Sequence, residues 1–297
     1  MRIEIIGAGA VGLLVASYFA EKNMDVYIVG KPAEKTVYKD IQIARTNLNQ
    51  SVTTVNVKYI SAISNEADLI IVAVKYGQLH EVYTSMEHVK ESVPLLFLQN
   101  GLAHYDEALG LNKAHIAFSS IQFGALKLSQ YHVSHKGEGV MKVAVAKGNH
   151  SKFDFLNEIS TSGLPIVFEQ DAEMMLMEKA LLNCFINPLT AILQVKNGQL
   201  ITKSDTLQLL NNLYNELMTA FPQFKESFQF EQVVALCERT AENTSSMLAD
   251  RLANRKTEID TIAGAILKKA EQNEKELPVL QTLYHLVKAF EESGEHL

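Results

Sequence analysis

Up to about Glu169 the chain alternates short, largely apolar runs with stretches whose apolar residues recur at helical spacing. The run "RIEIIG" leads into "AVGLLVASYFAEKN" and then "DVYIVG". Further on, "DLIIVAVK" and "PLLFLQNG" repeat the apolar type, each closed by turn-forming residues. A parallel strand is covered by helices on both faces and has no polar face to show, so continuous apolar runs of this kind predict buried parallel strands. "HIAFSSIQFGALKL", "HVSHKGEGVMKVAVAKG" and "LPIVFEQ" predict further strands, separated by glycines and a helical "KFDFLNEISTS". From Asp171 the spacing is helical nearly to the end, as in "TLQLLNNLYNELMTAF", "FEQVVALCERTAEN" and "ELPVLQTLYHLVKAFEES". The pattern predicts an α/β domain over residues 1–169 and an all-helical domain over 170–297. No Ser/Gly-rich linker, repeat or low-complexity segment separates them, so the two are expected to pack together around a cleft.

The stretch "EKALLNCFINPLTAIL", Glu178 to Leu193, reads as a buried helix, yet Lys179, Asn183 and Asn187 interrupt it at intervals of four. Four residues is close to one helical turn, so the three side chains form a polar stripe on a cylinder of Leu, Phe, Ile and Ala. A buried polar group without a hydrogen bond costs roughly 1–3 kcal/mol, and an unpaired ammonium costs more. Either other side chains or a ligand must satisfy the stripe.

Composition narrows the choice. A chain of 297 residues, 47% hydrophobic and 21% charged, can bury a large core and split into two domains. The net charge of -7, with Lys and Arg scattered, argues against nucleic acid as a partner. Cys184 and Cys237 are too few for a disulfide framework and lack metal-ligand spacing, so no metal is expected and a reduced, cytoplasmic setting is the simplest. The N-terminus enters a strand at once, with no basic segment before an apolar one, so no signal peptide is expected. The most apolar window, Leu181 to Leu193, is short for a membrane span and contains Asn and Pro.

The segment "IIGAGAVG" sets Gly7, Ala8, Gly9, Ala10, Val11 and Gly12 in a G-x-G-x-x-G turn between a strand and a helix. Gly7 permits the tight turn, Gly9 lets a diphosphate approach the backbone, and Gly12 lets the helix pack on the sheet. A purely structural turn would explain the glycines alone. Strand, turn, helix and second strand in this order predict a Rossmann-type dinucleotide site. The second strand ends in Gly30 and Lys31, where an NAD site usually presents a carboxylate to the ribose; a lysine there favours NADP, while Glu34 pulls the other way. Lys75, with Gln78 just beyond it, and Asn100-Gly101 close two further strands. Each alone could be a solvated lysine or a turn dipeptide. Together, at the carboxyl edge of one sheet, they point to cofactor and substrate contacts.

A second polar cluster occupies "NTSSMLADRLANRKTEIDTIAG". Thr257 and Asp260 have the form of a capping box. Glu258 then falls in a first helical turn, where it complements the helix dipole or faces Lys179 as its carboxylate partner. Ser246 is either a helix-end residue or a hydroxyl donor to a substrate carboxylate.

"GAGAVG", "VKYGQ", "LQNGL", "EKALLNCFINPLTAI" and "NTSSMLADRLANRKTEID", in this order over nearly the whole chain, resemble the ketopantoate reductases, or 2-dehydropantoate 2-reductases. The resemblance implies a Rossmann domain followed by a helical domain, NADPH as hydride donor, and reduction of ketopantoate to pantoate on the route to pantothenate and coenzyme A. It implies that Lys179 is the catalytic lysine and Glu258 the catalytic-site glutamate, also on the cofactor side. It places Asn183, Asn187 and Ser246 at the substrate, Asn100 near both substrate and nicotinamide, and Lys75 at the cofactor. Many members have Asn-Gly where this chain has Ala263-Gly264, a departure that bears on substrate fit. Hydride delivery to a ketone leaves charge on the oxygen, so a Lys179 ammonium is expected to hydrogen-bond that oxygen and protonate the alkoxide. Burial would lower its pKa and Glu258 would oppose the shift. Asn183 and Asn187 are expected to hold the substrate hydroxyl, and Ser246 with Asn100 the carboxylate. Three rivals remain: a related reductase of another 2-oxo acid; a non-catalytic NADP sensor, whose signature would be loss of Lys179 or Glu258; and a structural helical scaffold, the weakest because it leaves the stripe and the glycine turn unexplained together. A homodimer is compatible with a helix-rich second domain, although no exposed apolar stripe assigns a stoichiometry.

Overall fold

The computed structural model describes residues 1–30 and 37–293. Lys31 and Glu34, which bear on the choice between NADP and NAD, lie outside the described residues. The chain forms two compact units. One comprises Met1–Gln99 and His104–Met175, and the other takes in Asn100–Ala103 together with the chain from Leu176 onward.

The first unit is built on an eleven-stranded sheet. In chain order it contains β1 (Arg2–Ile6), α1 (Ala10–Glu21), β2 (Asp25–Val29), β3 (Tyr38–Thr46), β4 (Val52–Ile60), β5 (Leu69–Val72), α2 (Leu79–Ser85), β6 (Leu95–Phe97) and α3 (His104–Leu109). There follow β7 (Ile116–Ile121), β8 (Gly124–Ser129), β9 (His132–Lys136), β10 (Met141–Lys147), α4 (Leu156–Ile159) and β11 (Ile166–Glu169). As the apolar runs predict for β2, β1, β5 and β6, the neighbours β4-β2-β1-β5-β6-β7 are all parallel. Numbered among themselves these strands run 3-2-1-4-5-6, reversing between β1 and β5, the order of a doubly wound dinucleotide-binding sheet. Helix α1 is buried from Gly12 to Phe19, because it touches β8 and β9 as well as β1 and β2.

Two strand expectations change. "HIAFSSIQFGALKL" divides into β7 and β8, which lie far apart in the sheet, and the next run divides at Gly137 (φ +77°) into β9 and β10. The β3–β4 hairpin escapes the apolar pattern because each strand is exposed over part of its length, β3 at Tyr38–Asp40 and β4 from Val52 to Asn56 between half-buried positions, so only part of it alternates.

The second unit contains α5 (Ala172–Leu193, whose first turn counts with the first unit), α6 (Ser204–Ala220), α7 (Phe230–Arg239), α8 (Ser246–Leu252), α9 (Ala265–Gln272) and α10 (Pro278–Ser293). Phe185 of α5 packs on Tyr214 and Phe228, and the Tyr214 hydroxyl donates to the Phe228 carbonyl at 2.9 Å. The Glu216 carboxylate of α6 accepts from the Val279 and Leu280 amides at 2.7 and 2.9 Å, so α6 caps the N-terminus of α10. At 22 residues α5 is long enough to span a membrane, contrary to the length expectation, but 67% of its apolar window is buried inside the protein, as in a core helix. Cys184 and Cys237 are free, buried thiols, and burial pushes both thiol pKa values up.

Candidate active site

In the first unit the three glycines of the turn have different reasons to be glycine. Gly7 adopts φ +112°, and a Cβ there would lie 2.9 Å from the Ala73 carbonyl; a Cβ on Gly12 would strike the Gly7 oxygen at 2.1 Å. Both are demanded by the fold. A Cβ on Gly9 would meet nothing within 4 Å among the described residues. Gly9 is the N-cap of α1, without a capping side chain, and the first turn has no acidic residue. Open space, uncapped amides and a helix dipole at the strand-order reversal form a cradle for an anionic group, so the residues fit a dinucleotide diphosphate. Gly30 has a packing reason, since a Cβ there would fall 1.9 Å from the Tyr59 hydroxyl.

Past β5, Lys75 is extended (φ -68°, ψ 154°) and exposed, and it leads a short turn, Tyr76–Gln78, that opens α2. Gln99, which the sequence reading passes over, is buried at the end of β6. Its Nε2 donates to the Val72 and Val74 carbonyls at 3.0 and 2.9 Å, tying down the chain that leads to Lys75.

In the second unit the Lys179 ammonium donates to Asn100 Oδ1 at 2.7 Å, and Asn100 Nδ2 donates to Glu258 Oε2 at 3.0 Å. An amide thus stands between the ammonium and the carboxylate, and Asn100 orients both. Gly101 has φ +81°, and a Cβ on it would lie 2.1 Å from the Thr261 carbonyl, while Leu102 N donates to that same oxygen at 3.0 Å. Only glycine lets the Asn100 loop approach so closely. The helix it meets is widened over Asp260–Gly264, where Gly264 N reaches back five residues to the Ile259 carbonyl at 3.0 Å.

The capping box does not close. Thr257 N donates to Glu291 at 2.7 Å, and the Asp260 carboxylate instead accepts from Tyr284 and Lys288, at 2.9 and 3.1 Å. Further along α5, Asn187 is buried and its Nδ2 donates to the Ser246 hydroxyl oxygen at 3.4 Å, leaving that hydroxyl a proton to donate. The neighbouring Ser245, not Ser246, caps α8, accepting from Leu248 N at 3.1 Å. Asn183 lies half-buried on the same stripe, one turn from Lys179 and from Asn187. Asn197, also passed over by the sequence reading, is buried; its Nδ2 donates to Thr240 at 3.0 Å, and among the described residues its Oδ1 has no partner. Ala263 is fully buried.

Burial pulls the Lys179 pKa down to about 8, with the Glu258 charge opposing the shift. The direction is the one the stripe implies. An ammonium poised there can donate a hydrogen bond to a carbonyl oxygen and surrender a proton near neutral pH.

Residues 3–148 match the family described as ketopantoate reductase PanE/ApbA, and residues 171–291 its C-terminal domain. A 2-dehydropantoate 2-reductase of Bacillus subtilis (strain 168) is 34% identical over 293 residues, 98% of each chain. One of Listeria innocua is 33% identical over 300 residues, 98% of this chain and 97% of that one. Among solved structures, the probable 2-dehydropantoate 2-reductase panE of B. subtilis superposes with TM-score 0.85 at 32% identity, over 97% of this chain and 99% of that one. Two structures share the fold at lower identity. A dimeric ketopantoate reductase of Staphylococcus aureus has TM-score 0.79 at 20% identity, over 99% of this chain and all of that one. D-mandelate dehydrogenase with NADH and anilino(oxo)acetate has TM-score 0.82 at 24% identity, over 99% of each chain. With a doubly wound sheet, a glycine turn and a lysine–amide–carboxylate relay all in place, the chain belongs to the ketopantoate reductases, a nicotinamide-dependent oxidoreductase family.

Proposed function

We propose that this protein reduces 2-dehydropantoate to (R)-pantoate with NADPH, a step of pantothenate and coenzyme A biosynthesis. The relay from Lys179 through Asn100 to Glu258 carries the reading, because it holds a proton donor with a lowered pKa in a fixed orientation. Residues 1–169 serve as the NADP-binding domain and 170–297 as the substrate-binding domain. Gly7, Ala8, Gly9, Ala10, Val11 and Gly12 hold the diphosphate, Lys31 the ribose phosphate, and Lys75 and Gln78 the rest of the cofactor, with Asn100 and Glu258 toward its nicotinamide end. When bound, the reduced nicotinamide supplies the hydride to the ketone carbon. Lys179 donates a hydrogen bond to the ketone oxygen, passes its proton to the alkoxide, and is reprotonated from solvent. Asn183 and Asn187 hold the substrate hydroxyl, and Ser246 with Asn100 the carboxylate.

NADPH oxidation followed by absorbance, with ketopantoate and a panel of 2-oxo acids, tests the reading. Turnover confined to ketopantoate and lost in Lys179→Ala is the expected result; tight NADPH binding with no turnover on any acid would sink it. Repeating the assay with NADH and with Lys31→Glu, which should weaken NADPH binding, tests the cofactor preference. A reductase of another 2-oxo acid is the second reading, favoured by the fold shared with D-mandelate dehydrogenase and by Ala263. The buried free thiols support a reduced, cytoplasmic setting. The dimeric S. aureus relative supports a homodimer, testable by light scattering.

A further inference from the structure

Within the first unit, β8 and β9 form an antiparallel hairpin that packs on α1. Their pairing slips between Lys127 and Ser129, and an irregularity of this kind re-aims the side chains beside it. From this position the Lys127 ammonium reaches the glycine turn and donates to the Ala8 carbonyl at 2.7 Å. Ala8 immediately precedes Gly9, the N-cap of α1.

This is an unfavourable place for a cation. A helix N-terminus carries roughly half a positive charge, best matched by an anion. Here the first turn has no acidic residue and Gly9 brings no capping side chain. An ammonium and a helix dipole of like sign therefore meet across one neutral carbonyl. An anionic ligand at the turn would relieve both, and among the described residues an added Cβ on Gly9 touches nothing, which leaves room for it. A lysine has three N–H donors, so two remain for phosphate oxygens when one is held by Ala8.

We infer that Lys127 is a further cofactor-binding residue, an ammonium set on the glycine turn by the β8–β9 hairpin to clamp the dinucleotide diphosphate against the N-terminus of α1. The inference rests on the reading of that turn as the diphosphate site. Calorimetric titration of the full chain with NADPH, ADP-ribose and adenosine 2′-monophosphate tests it in wild type, Lys127→Met, Lys127→Arg and Gly9→Val. Lys127→Met should weaken NADPH and ADP-ribose by roughly tenfold or more, the loss of a charge-assisted hydrogen bond to phosphate. Adenosine 2′-monophosphate, which has no diphosphate, should bind as before, Lys127→Arg should retain most of the affinity, and the melting temperature without ligand should not fall. Unchanged NADPH and ADP-ribose affinities in Lys127→Met, with loss of both in Gly9→Val, would overturn the role of Lys127 while leaving the turn in place. Unchanged NADPH affinity in Gly9→Val would overturn the reading of the turn itself. Equal weakening of all three ligands together with a lower melting temperature would reduce Lys127 to a structural contact.

Discussion

At the glycine turn of the first unit the recognition groups are backbone amides and open space: two glycines are demanded by the fold, and Gly9 has none of the described residues against it. Along α5 of the second unit they are side-chain atoms already engaged with one another, Lys179 with Asn100, Asn100 with Glu258, and Asn187 with Ser246. The first site waits for its ligand in deficit, with donors uncapped. At the second, Lys179, Asn100 and Asn187 are already engaged, so a substrate that bonds to them must exchange hydrogen bonds. Since an exchange nets only roughly 0.5–1.5 kcal/mol per bond, the stripe is suited to orientation and proton transfer more than to raw affinity.

The strongest way to break this comparison is Lys179→Ala. It should lower ketopantoate reduction roughly 10²–10⁴-fold, the usual contribution of a positioned acid, with the NADPH dissociation constant unchanged. A cofactor affinity that fell as far as turnover would show that the two sites do not divide the work as described.

Next in size is a pair of glycine substitutions. Gly12→Val, whose Cβ would sit 2.1 Å from a backbone oxygen, should lower unfolding free energy by about 1–3 kcal/mol or more in a denaturant titration. Gly9→Val should leave the ligand-free protein within about 0.5 kcal/mol of wild type, because its side chain enters open space.

The stripe is sharpened by pH. With Lys179 near 8, the acid form is lost as pH rises, so reductive turnover should fall above about pH 8 while the reverse oxidation, which needs the neutral amine, rises. Asn100→Asp places an anion against the ammonium and should move that limb to higher pH by about one unit or more. A limb that stays where it was would assign it to another group.

His104 offers a contrast with Lys179, since burial lowers its pKa to about 4 but, among the described residues, neither ring nitrogen has a partner. The unfolded chain, with an ordinary value of 6.5, takes up the proton first, so stability is lost as pH falls from 6.5 toward about 4. His104→Phe should remove about 1 kcal/mol of that loss at pH 5.5, read as a flatter dependence of the unfolding midpoint on pH.

Much of the fold was legible because period is local. Strands covered on both faces announce themselves as unbroken apolar runs, as in β5 and β6, and the change at Asp171 to helical spacing marks the second region. The β3–β4 hairpin was not legible because an exposed, only partly alternating strand looks like a loop. The division between β7 and β8 was hidden because an apolar run carries no sign of which sheet partner it will choose.

The sequence by itself determined the glycine turn and the Lys179, Asn183, Asn187 stripe, since both follow from the geometry of one turn or one helix and need no distant partner. Only the tertiary structure decided what meets them. Asn100 lies 79 positions from Lys179 and 158 from Glu258, and no spacing rule spans such distances. The capping box illustrates the same limit, since Thr257 and Asp260 satisfied the local rule yet gave their bonds to Glu291, Tyr284 and Lys288 of α10. A local pattern states which polar groups need partners; which groups answer depends on long-range packing, which brings stronger competitors within reach.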